Sequence, residues 1–177
     1  MKNPIAITGL LVAAMRAEES RRADRLFDDP FAARLAGDAG RTALERYRAA
    51  VGPSIPIIEV RTRYCDEALS RVQANGTRQF VIVAAGMDAR AFRLPWPSGT
   101  RVFELDQPEV IAAKSEALAA ATPKCDRRAI PVNLAGGSFT DALESSGFDR
   151  NERTAWLVEG LLQYLEAASI DRLFDQI

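Results

Sequence analysis

Four short apolar runs in this chain each end in a polar residue able to hold part of a nucleoside. Asp88 follows the run 79–85, Asp106 follows 101–105, Asn133 follows 128–132 and Glu159 follows 155–158. If the runs are parallel strands, all four side chains share the carboxyl-end rim, where open α/β sheets bind their ligands. Gly86 lets the backbone bend sharply as it leaves the first run. Asp106 lies 20 residues beyond Gly86, the spacing at which a second-strand acid accepts hydrogen bonds from ribose hydroxyls. An acid ahead of Gln107-Pro108 also suits a plain helix cap, and the alignment of the other three strand ends favours the ribose. A dinucleotide turn has the pattern G-x-G-x-x-G, whereas Ala84, Gly86 and Ala89 stand at those positions. Pyrophosphate needs close backbone approach and is disfavoured. A cofactor with adenosine but no phosphates, such as S-adenosylmethionine, is less affected.

The first run is apolar, largely β-branched or aromatic, and short, as in a strand buried on both faces. Pro108 opens a helix expected to run to about 121. A short helix is expected at 139–145, and a last one has Ile170, Leu173, Phe174 and Ile177 along one face. Strands alternating with helices predict an α/β fold with a Rossmann-like parallel sheet. Residues 76–177 are read as this core and 1–75 as a helical cap on one end of it, the whole forming a single domain. Within the cap, helices are expected from Leu10 through the charged run to Arg25, from 30 to 35 and from Asp38 to about 50. Another covers 57–72, where Ile57, Ile58, Tyr64, Cys65, Ala68, Leu69 and Val72 recur at helical spacing before the Asn75-Gly76 stop. Breaks are expected at Gly52-Pro53-Ser54 and at Gly136-Gly137-Ser138. The last helix leads into no strand, which predicts a truncated chain with the fourth strand as an exposed edge.

Composition removes several classes. The chain has 177 residues, net charge −1, 47% hydrophobic and 27% charged residues, the profile of an ordinary globular domain. Its charges are interspersed, so no nucleic acid partner is expected. No stretch is long enough to span a membrane. The apolar segment 5–15 lacks a small-x-small cleavage site and runs straight into charged residues, so it reads as a helix rather than an export signal. Cys65 and Cys125 stand apart without metal-ligand company, as reduced thiols in a cytoplasmic protein. There is no histidine, which removes the commonest general base and metal ligand.

Several stretches together resemble the leucine carboxyl methyltransferase family, in particular its bacterial, actinobacterial-type branch of S-adenosylmethionine-dependent O-methyltransferases. They are the run from Ala17 to Pro30, Val60-Arg61-Thr62-Arg63, the run from Ala84 to Leu94, Phe103-Glu104-Leu105-Asp106-Gln107-Pro108, and the run from Glu159 to Leu165. The resemblance covers nearly the whole chain, and family members continue well beyond its length. It implies S-adenosyl-L-methionine as cofactor, with Arg61 pairing with its carboxylate and Gly86 admitting the methionine portion. Asp106 would hold the ribose, Asn133-Leu134 would stand at the adenine, and Glu159 at the methionine end. Ala84, Asp88, Gln107 and Gly160 complete the expected cofactor set. Ala84 replaces a frequent glycine and Asn133 the usual aspartate; an amide oxygen still accepts from the adenine amino group.

A second charged group, Arg21, Arg22, Asp28, Asp29, Arg90 and Arg93, reads either as a substrate mouth or as internal ion pairing of cap to sheet. Ion pairing is the expectation. A carboxylate acceptor is already ionised at pH 7 and needs no general base, whereas a phenol or alcohol usually does. The expectation is therefore O-methylation of a small-molecule or peptide carboxylate, with no catalytic residue and no metal assigned. A homo-oligomer covering the exposed edge is the expected assembly. The alternatives are a non-catalytic binding module, an NAD(P)-dependent oxidoreductase and a sugar- or nucleotide-binding domain.

Overall fold

Alternating apolar residues on two adjacent strands give the chain its centre. In a computed structural model describing residues 4–52, 55–134 and 138–177, β1 (Gln79–Val83) is buried at every position and β2 (Arg101–Asp106) at all but the first. With β3 (Asp126–Pro131) and β4 (Thr154–Val158) they form one sheet in the order β3-β2-β1-β4, every neighbouring pair parallel. Successive side chains point to opposite faces. Phe80, Ile82 and Val102 belong to one core, and Val81, Val83, Phe103, Leu105 and Ile130 to another. Both faces of the sheet are therefore covered, as parallel sheets require, and the fold is α/β and Rossmann-like.

The first core is completed by α1 (Pro4–Glu19), α2 (Ala32–Val51), α3 (Ile57–Ala74) and α5 (Pro108–Ala117). The second is completed by α6 (Thr140–Ser145) and α7 (Ala167–Phe174). A one-turn α4 (Arg90–Arg93) follows β1, and a 3-10 turn, Leu162–Tyr164, follows β4. Neither was expected, because four residues or fewer display no periodicity. No helix among the described residues is long and apolar enough to cross a membrane.

Four expectations need adjustment. The first helix stops at Glu19 rather than continuing to Arg25, because Glu19 and Ser20 accept the backbone N–H groups of Leu26 and Asp29 at 2.6 and 2.9 Å and fold the following loop back. The two helices expected at 30–50 are adjoining segments of α2, broken at Gly37 with φ +54°. The apolar face read on α3 is also rotated. Its buried residues are Thr62, Asp66, Leu69 and Gln73, while Ile57 and Tyr64 are 63% and 65% exposed. On α7, Leu173 is buried but Phe174 is exposed, as is Ile177 beyond the helix end. The expected breaks at Pro53-Ser54 and Gly136-Gly137 lie outside the described residues.

Candidate functional site

Register brings the strand ends together. Val83 stands opposite Leu105 on one side and Val158 on the other, so residues 84–88, Asp106 and Glu159 leave the sheet at one rim. The β1 turn is sharp: Ala84 and Gly86 have φ of +55° and +45°. Such values suit glycine and strain alanine. Both oxygens of the Asp106 carboxylate accept backbone N–H bonds, from Gly86 at 2.6 Å and from Gln107 at 2.7 Å. Burial nevertheless pushes the Asp106 carboxyl above its ordinary value, against the lowering effect of those bonds and of Lys114.

Beside this turn lies a cavity of about 220 Å³. Of the ten residues expected to bind the cofactor, nine line it: Arg61, Ala84, Gly86, Asp88, Asp106, Gln107, Leu134, Glu159 and Gly160. Asn133 does not; it is exposed at the end of β3, next to Leu134. The roof was not anticipated. Thr8, Gly9, Val12 and Arg16 of α1 close over the strand ends, and Tyr164 and Leu165 stand at the 3-10 turn. Tertiary packing alone brings α1 there, and a near-uniformly apolar helix carries no local sign of which residues face a ligand.

Charges behind the cavity wall form one continuous assembly. Glu159 accepts from Arg61 Nε at 2.7 Å and from Arg90 Nη1 at 2.8 Å. Arg90 also donates to Asp88 at 2.5 Å and to Asp66 at 2.7 Å. Arg93 donates to both Asp66 oxygens at 2.7 and 2.8 Å and lies 3.8 Å from Asp29. Asp29 in turn accepts from Arg16 at 2.9 Å, and Arg16 reaches the Met87 carbonyl at 2.6 Å. The arrangement ties α1, the loop after it, α3 and the β1 turn to the end of β4. It bears out ion pairing of cap to sheet for Asp29, Arg90 and Arg93, whereas Arg21, Arg22 and Asp28 are exposed and Arg22 pairs with Glu19 and Asp24 within the cap. Burial favours the neutral form of Asp88, but Arg90, Lys114 and Arg16 outweigh it and hold the carboxyl at about 2. Burial likewise opposes the charge of Arg90, and Asp88, Glu159 and Asp66 overcome it, holding the guanidinium well above its usual range.

Asp66, like Arg16, is a member that sequence reasoning missed. Its signal was an acid at helical spacing with Thr62, Leu69 and Gln73, a face that only the fold identifies as buried. Both thiols are free and raised by burial, Cys65 to about 11 and Cys125 to about 12.

The arrangement suits a zwitterionic, adenosine-bearing molecule. Gly86 presents no Cβ at the turn, and among the described residues the two Nη groups of Arg61 make no hydrogen bond and face Gly160. A guanidinium with free donors is able to receive a carboxylate, and an acid at the second strand end is able to receive ribose hydroxyls.

Comparison with known proteins supplies the family. The family described as leucine carboxyl methyltransferase matches residues 9–177. Relatives named "Putative S-adenosyl-L-methionine-dependent methyltransferase" occur in Frankia alni, 42% identical over 98% of this chain and 64% of the relative, and in Mycobacterium sp. (strain JLS), 41% identical over 100% and 63%. Another, from Saccharopolyspora erythraea, is 45% identical over 91% of this chain and 58% of its own length. The chain thus spans about three-fifths of the length of the relatives it matches.

Proposed function

The chain belongs to the leucine carboxyl methyltransferase family, and from that premise we propose that the full-length protein is an S-adenosyl-L-methionine-dependent O-methyltransferase acting on a carboxylate of a small molecule or peptide. The observation that carries this reading is the convergence of nine expected residues, drawn from five separate stretches of sequence, on one cavity. The bound cofactor supplies an electrophilic methyl group on a sulfonium.

In this reading the chain's residues do the holding. The Nη groups of Arg61 bind the cofactor carboxylate, while its Nε stays on Glu159. Each Glu159 oxygen retains acceptor capacity beyond its present bond, which suits an ammonium group. Asp106 keeps its Gly86 and Gln107 bonds and offers its remaining lone pairs to the ribose hydroxyls. Leu134 packs at the adenine, with Asn133 beside it. The α1 roof excludes water, which strengthens every charged contact beneath it.

The acceptor is inferred from the demand each candidate would place on the residues at hand. A carboxylate, ionised at neutral pH, asks for no general base, and these 177 residues hold no histidine to act as one; in-line displacement then needs chiefly alignment. Transfer of labelled methyl from the cofactor to a panel of small carboxylic acids tests this, because methyl esters release methanol in mild alkali and methyl ethers do not. Base-labile label supports the reading; base-stable label or none contradicts it. We further propose a homo-oligomer in which a second copy covers β4, whose outer side has no partner strand among the described residues, a pairing that would make sedimentation depend on concentration.

A further inference from the structure

The ion-paired assembly behind the cavity contains four arginines and four carboxylates, so its charge balances. Asp66 is central to that balance although it does not line the cavity. It accepts three charged hydrogen bonds, one from Arg90 and two from Arg93, and both arginines do line the cavity. The side chains of Arg90 and Arg93 are 4% and 5% exposed and that of Asp66 is 11%. Salt therefore screens their field weakly, and any charge placed in the cavity is felt strongly.

Resting on the cofactor reading above, we propose that Asp66 is a positioning residue that sets the site's relative affinity for the cationic donor and its neutral thioether product. S-adenosylmethionine and S-adenosylhomocysteine share adenosine, carboxylate and ammonium, and differ by one methyl and one positive charge on sulfur. Contacts common to both cancel in the ratio of their dissociation constants. What remains is chiefly the electrostatic potential in the cavity, and the assembly's net charge controls it. With Asp66 ionised the arginines are matched. Without it they are in excess by one charge, and the sulfonium is penalised while the thioether is not.

The test is calorimetric titration of the full-length protein with each ligand in turn. Asp66→Asn raises the donor-to-product ratio of Kd values by about threefold or more. Arg93→Gln leaves the carboxylates in excess and lowers the same ratio. The double variant restores balance and returns the ratio toward wild type. A purely structural role weakens both ligands together and moves the ratio in neither single variant. Ratios that stay fixed, or shift in the same direction in both single variants, overturn the proposal. If Asp66→Asn does not fold, Arg93→Gln decides alone, and an unchanged or raised ratio overturns it. Wild-type protein that binds neither ligand refutes the cofactor reading itself; wild-type binding with unshifted variants refutes only the role of Asp66.

Discussion

At the scale of single residues, charge and backbone strain meet in the turn after β1. Asp88 is an acid whose folded pKa, about 2, lies below the ordinary 3.8. Such a group stabilises the fold above its unfolded pKa, and that contribution is lost as pH falls through the folded value. Asp88→Asn is therefore expected to cost about 2 kcal/mol at pH 7. In urea titrations, the gap from wild type should narrow as pH falls from about 4 to about 2. Asp106, raised by burial, works in the opposite sense: its ionisation weighs against the fold above its raised pKa. Ala84, at φ +55°, carries the strain of a left-handed L-residue, partly offset by its lower unfolded-state entropy. Ala84→Gly should gain about 0.5–1 kcal/mol in the same titrations. Beneath Asp106, Lys114 and Glu104 are wholly buried with Nζ 3.0 Å from Oε2. Arg127 Nε donates to that same oxygen at 2.8 Å. Lys114→Met leaves Glu104 with Arg127 alone and should cost about 3 kcal/mol.

Among elements, the contact of α1 with α2 decides whether the cavity has a roof. A Cβ added at Gly40 would lie 2.5 Å from the Leu10 carbonyl oxygen, so the helices approach as closely as backbones allow. Gly40→Ala should force them apart at a cost of about 1–3 kcal/mol, visible as a lower thermal midpoint. The same elements mark where sequence reading succeeds. The strands and their polar ends were legible because a buried parallel strand is a short apolar run and its terminal residue must sit at the rim. The roof was not, since docking of α1 over that rim is a long-range event with no local signature. Nor was Asp66, because an acid on an amphipathic helix ordinarily marks the solvated face. The apolar residues Ile57 and Tyr64 pointed the same way, and both are exposed.

For the whole molecule, we propose that cap and sheet together make one receptor for a methionine-tailed adenosine. Its parts come from α1, α3, the β1 turn and the ends of β2, β3 and β4, and the ion-paired assembly holds most of them in one frame. A ligand that binds only this folded arrangement should raise stability, by about 2.7 kcal/mol at 100 times its Kd. The most direct measurement is calorimetric titration of the full-length protein with S-adenosylhomocysteine, alongside Asp106→Ala checked for an intact melting transition. The expected result is saturable binding at one site, weakened at least about tenfold when the second-strand acid and its charge-assisted hydrogen bonds are removed. Absence of binding, or binding that Asp106→Ala leaves unchanged, would contradict it.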